Sequence, residues 1–149
     1  MNIIVILGSI VFFLCLFIMH RIENGVNGIR KYDENFKSLD MQFHYDSDKV
    51  YYTFEKLGID GRNIYYNFLI LDFCFIVCFF IVMFALTQRF VQNDILRKAL
   101  IILALSRGIF DMIENTLLIL LMKQYPTQNI LLANVCSWVT SMKFISLFL

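Results

Sequence analysis

ALIILALSRGIFDMIENTLLILLM, residues 99–122, is long enough to cross a bilayer as one helix, yet it carries Arg107, Asp111, Glu114 and Asn115. At about 100° per residue the three charged side chains fall within roughly 60° of one another, and Asn115 sits at the edge of the same sector. The rest of that helical surface is mostly Leu, Ile, Met and Ala. A charge at bilayer depth costs on the order of 2.5–3.5 kcal/mol on insertion scales, so such a face turns inward, toward other helices and toward partners. The expectation for the whole chain follows from this stretch. It is an all-α, polytopic membrane protein, an antiparallel four-transmembrane-helix bundle with a buried acidic and polar site.

Composition agrees. The 149 residues are enough for one domain, and 59% hydrophobic content exceeds what a soluble domain of that size needs for its core. Mean hydropathy is +0.68. A formal charge of +1, with no basic run and no glycine-rich phosphate loop, excludes nucleic acid as a partner. Cys15, Cys74, Cys78 and Cys136 all fall inside candidate spans, which reads as neither a disulfide framework nor a thiolate zinc site. Cys74 and Cys78 share a helix face and read as small packing residues. No metal and no cofactor are expected.

Working outward, the third span covers 96–123 and is preceded by a hydrophilic turn with Arg89, Arg97 and Lys98. Tyr125-Pro126 breaks the chain before a fourth span, 128–149, where Asn134, Ser137 and Ser141 line one side and Lys143 lies on another with Cys136 and Thr140. The first span, 2–20, has no basic leader and no cleavage site, and it reads as a retained helix. The second, 61–87, starts from an Asp60 cap, with Arg62, Tyr65 and Tyr66 as interfacial anchors and Asp72 two turns inside. Between the first two spans lies a loop, 21–60. The polar stretch 21–63 holds seven Lys/Arg and eight Asp/Glu. Asn24-Gly25 and Asn27-Gly28 signal turns there, and 41–45 reads as extended. Asp46 or Ser47 caps a helix over 47–57 that Gly58 ends. Its face of Val50, Tyr51, Phe54 and Leu57 suits the membrane interface or a lid over the bundle. Arg89, Arg97 and Lys98 favour the long loop outside by the positive-inside rule, against the loop's own basic residues.

A rise of about 1.5 Å per residue gives depths. Counted from the long-loop side, Asp72 lies at roughly 12 Å, Glu114 at 13 Å, Asp111 at 18 Å, Lys143 at 22 Å and Arg107 at 24 Å. Three acids share a layer above two cations. In one reading the excess acid holds a proton or meets a ligand's positive charge. In the other, Arg107 pairs with Asp111 at i, i+4, Lys143 takes Glu114 or snorkels, and Asn115 bonds across the bundle.

The series Gly61-Arg62-Asn63-Ile64-Tyr65, Asp72 and Asp111-x-x-Glu114-Asn115 resembles small uncharacterised four-helix integral membrane proteins of bacteria and archaea. The resemblance implies the fold and the polar site and carries no activity with it. A looser architectural likeness to four-helix sterol isomerases matches no motif and is fold-level analogy.

Four functions fit a cell-membrane, multi-pass protein of this kind. The leading one is binding of a lipid or a small amphipathic or cationic ligand by Asp72, Arg107, Asp111, Glu114, Asn115 and Lys143. The second is proton or ion translocation, as a homo-oligomer. A third is a lipid-active enzyme with Asp111 or Glu114 as general acid or base. Against hydrolysis stands the lack of a nucleophile–base pair and of any metal-ligand spacing. A fourth is an accessory membrane subunit whose polar face meets a partner's helix.

Overall fold

The structure, a computed structural model, describes residues 3–21, 23 and 25–148; the expected span ends at Asn2 and Leu149 and the turn residue Asn24 lie outside them. The described chain is all-α. Its helices are α1 (Ile3–Arg21), the single turn α2 (Val26–Ile29), α3 (Ser47–Phe90), α4 (Asp94–Gln124) and α5 (Ile130–Phe148), with a 3-10 turn at Leu39–Met41 and no strand among the described residues. Two of them, α1 and α3, are long and apolar enough to cross a membrane; the apolar part of α5, Ile130–Ser146, is shorter.

Local chemistry sets the ends. Asp46 accepts from the Lys49 N–H at the start of α3, and Asn93 accepts from the Ile95 and Leu96 N–H groups at the start of α4. Each satisfies amides that a helix N-terminus leaves without partners. Residues 91–93 and 125–129 are the only links between α3, α4 and α5, which makes these helices antiparallel neighbours.

Gly58 kinks α3 and does not end it. Its φ of 63° and ψ of −167° lie where only glycine is unstrained, and the helix resumes at once on the far side. The break is bridged by Arg62, whose Nη1 donates to the Phe54 carbonyl at 2.7 Å. The same guanidinium lies 4.5 Å from the centre of the Tyr125 ring. Arg62, expected as a headgroup anchor, is thus half-buried and clamps the kink.

The helices pack in chain order, α1 on α3, α3 on α4 and α4 on α5. Phe12 of α1 stacks on Phe75 of α3 at 5.0 Å between centroids. The densest core lies at the long-loop end, where Val50, Tyr51, Phe54 and Leu57 are buried with Tyr65, Leu118, Leu121 and Cys136. Each such side chain contributes about 1.5–3 kcal/mol when fully buried. The 47–57 segment is therefore part of the core. The lid expected from its aromatic face is not found, because that face has α4 and α5 to pack on. Tyr51 Oη, for instance, accepts from the Asn129 N–H at the start of α5.

The long loop folds over the same end. Gly28 permits its first turn, since a Cβ there would lie 1.5 Å from the Glu23 carbonyl oxygen. Further on, the Leu39 N–H donates to Tyr65 Oη at 3.2 Å, and the Tyr45 N–H donates to Ser137 Oγ at 2.9 Å. The stretch 41–45, expected to be extended without a partner, finds one in α5. Tyr65 is correspondingly displaced from its expected place at the surface. It is 0% exposed, because its hydroxyl is needed as an acceptor for the loop.

Candidate functional site

Between α4 and α5 lies a closed cluster. Lys143 Nζ sits 2.6 Å from Glu114 Oε2 and 3.1 Å from Asp111 Oδ1, and donates to the Asp40 carbonyl at 2.6 Å. The Asp40 carbonyl and Asp111 accept hydrogen bonds from the ammonium, whereas Glu114 Oε2 is held by charge and has no hydrogen-bond partner. The Thr140 hydroxyl donates to Glu114 Oε1 at 2.5 Å and lies 3.1 Å from Tyr45 Oη. Glu114 is 0% exposed and Lys143 5%. The sequence places Lys143, Thr140 and Cys136 on one face of α5, and that face meets Glu114.

Beside this cluster, toward α1 and α3, the charges are not closed off. A cavity of about 400 Å³ opens between α1, α3, α4 and the 36–41 stretch of the loop, and Asp40, Asp72, Asp111, Arg107 and Lys143 all line it. Leu16, Met19, Phe68 and Phe75 supply apolar wall, and His20, Arg30 and Lys37 also border the space. Asp72 accepts from Asn115 Nδ2 at 2.8 Å. Neither it nor the Asp40 carboxylate, which is held by Ser38, has a cation at ion-pair distance among the described residues. Burial pushes the Asp40 carboxyl above the usual carboxylate range, outweighing the Lys143 ammonium that opposes the shift.

Arg107 departs from its expected role. An i, i+4 pair with Asp111 is absent, since Asp111 is engaged by Lys143. The guanidinium instead lies over Phe79, 4.6 Å from the ring centre, and its buried Nε has no hydrogen-bond partner. Lys143, for its part, does not snorkel. It enters the layer of acids and does not lie beneath it.

Of the six residues expected at the site, five fall into two linked groups: Asp111, Glu114 and Lys143 in the cluster, Asp72 and Asn115 across the cavity wall from them. Arg107 lines the cavity and belongs to neither group. Tyr66 is half-buried, 5.7 Å from Lys123 Nζ, and takes no part. Asn134 is exposed, while Ser137 and Ser141 are buried and bonded to the loop, Ser141 through the Phe43 carbonyl and both through His44. Sequence reasoning missed Ser38, Asp40 and Tyr45. Nothing in their local pattern separates them from the other polar residues of a balanced loop. Among the described residues no three His, Cys, Asp or Glu side chains converge as a metal site. Compared with protein-family models, with curated proteins and with solved structures, the chain matches none of them.

Proposed function

We propose that the chain is a multi-pass membrane protein that binds a lipid or a small amphipathic ligand in the cavity lined by Asp40, Asp72, Asp111 and Arg107. The cavity carries the reading. Its size is that of a ligand site, its wall is largely apolar, and its polar groups converge from four segments of the chain. The membrane reading is supported by where the apolar surface lies. In the apolar windows of α1 and α3 only 18% and 22% of residues are buried, whereas a core helix of a soluble protein would be mostly buried. Phe13, Phe17, Ile102, Leu105, Leu131 and Trp138 are among the large apolar side chains that face outward. Lipid is the solvent in which such a surface is stable.

A second reading, proton translocation, draws on one observation. Tyr45, Thr140, Glu114, Lys143 and Asp111 form a continuous series of exchangeable protons that ends at the cavity. Acidification of liposomes that depends on Glu114 would favour it over binding.

Native mass spectrometry of the chain released from nanodiscs, wild type beside Asp72→Asn, tests the leading reading. A defined adduct on the wild type that is lost from the folded variant is the expected result. A bare wild type in lipid of mixed composition would overturn it.

A further inference from the structure

We infer that the ligand's polar end is a zwitterion, an ammonium and a phosphate or carboxylate held a few bonds apart. This rests on the proposed ligand site and specifies its occupant. Besides the Lys143–Asp111 pair, the cavity holds charges of both signs that have no ionic partner among the described residues. Arg107 stands on one helical face with Asp111 and has the reach to collapse onto it, yet it has no anion at ion-pair distance and one buried N–H without an acceptor. A buried donor without an acceptor is destabilising, more so when charged. Its contact with the Phe79 ring face supplies no hydrogen-bond acceptor for that N–H. An acceptor is still wanted there. Asp72 and Asp40, on other walls of the same space, have an amide and a hydroxyl as partners and no cation. A positive charge is wanted there.

A ligand of one sign cannot meet both demands. A simple cation would gain Asp72 and Asp40 and be repelled by Arg107 and by Arg30 and Lys37 at the border. A simple anion would gain Arg107, with Arg30 and Lys37 at the border, but would face Asp72 and Asp40 and leave both without a cation. A molecule carrying both, with the ammonium toward Asp72 and the anion toward Arg107, satisfies each group and leaves none desolvated and unpaired. Leu16, Met19, Phe68 and Phe75 then offer apolar surface to any attached chain.

The test uses the full chain in maltoside micelles, titrated by calorimetry with three probes of equal chain length: dodecylphosphocholine, dodecyltrimethylammonium and dodecyl phosphate. Phosphocholine without a chain is the fourth. The expected result is that the zwitterion binds about tenfold or more tighter than either singly charged probe, a preference of about 1.4 kcal/mol. Arg107→Gln should bring the zwitterion down to the level of the cation without weakening the cation. Asp72→Asn should bring it down to the level of the anion. Phosphocholine binding as tightly as its dodecyl ester would assign the site to a soluble zwitterion; a clear gain from the chain would assign it to a lipid. If either singly charged probe matches the zwitterion, the inference falls and ligand binding stands. If no probe binds, both fall. The ranking of probes on the wild type decides the matter even where Arg107→Gln fails to fold, and Arg107→Lys, which keeps the charge, should keep the preference.

Discussion

The two faces of α4 treat charge in opposite ways. Toward α5, Glu114 and Asp111 both lie at ion-pair distance from Lys143, the Asp40 carbonyl accepts from the ammonium, and Thr140 donates to Glu114 Oε1. Toward α1 and α3, Asp72 and Arg107 share a cavity and have no ionic partner among the described residues. Buried charge is costly wherever it stands, so a charge-paired, saturated set and an unpaired, unsaturated set on one helix have different reasons to exist. The saturated set fixes how α4, α5 and the loop fit together. The unsaturated set is the part of the molecule on which the proposed ligand reading rests.

The sharpest way to break the comparison is Lys143→Met. It leaves Asp111 and Glu114 buried without their cation, and removing one partner of a buried pair costs about 3–5 kcal/mol. The midpoint of thermal unfolding in detergent should fall further than for any other single change discussed here. An unchanged midpoint would mean that the cluster is hydrated and that the two faces do not differ. Next in size is Tyr65→Phe. The Leu39 N–H would lose its buried acceptor at a cost of about 1–3 kcal/mol. Hydrogen exchange should quicken at residues 38–41 ahead of the helices. Uniform exchange along the chain would show that the loop is not held there.

Asp72→Asn should do the reverse of Lys143→Met. The amide can still accept from Asn115, no cation is orphaned, and stability should stay within about 0.5 kcal/mol while any cavity ligand is lost. A large destabilisation would put Asp72 with the structural set and erase the contrast between the faces.

How much of this was legible in the sequence follows from how local each signal is. The polar sector of α4 is written in a 3.6-residue period, so Asp111, Glu114 and Asn115 could be placed together and facing inward from spacing alone. The kink at Gly58 was legible as a break. Whether the helix would resume depended on Arg62 reaching Phe54 and on a tertiary contact with Tyr125, which no local pattern records. Pairing failed for the same reason. The i, i+4 rule offered Arg107 to Asp111, but Lys143, thirty-two residues on in sequence, reaches Asp111 through helix packing and displaces it. Tyr65 looked like a headgroup anchor because a tyrosine near a span end usually is one. The loop that buries it is distant in the chain. Asp40 was invisible because one acid among eight in a charge-balanced segment carries no periodicity.

Asp40 gives the smallest effect and the finest test, since it stands where the two faces meet: its carbonyl accepts from Lys143 and its carboxyl borders the cavity. The groups turned toward it include Lys143, Ser38, Asp111, Asp72 and Tyr65. Burial raises its pKa above the ordinary value, so the folded state holds this proton more tightly than the unfolded chain does. Between the unfolded value near ~4 and the raised folded value, stability therefore falls as pH rises, and the loss is complete above the folded pKa. Asp40→Asn cannot ionise and escapes that fall. The difference in unfolding midpoint, variant minus wild type, should become more positive from acid to neutral pH. A difference that becomes more negative instead would mean that the Lys143 ammonium outweighs burial, and Asp40 would then belong to the saturated cluster, with Asp72 left to face Arg107 alone.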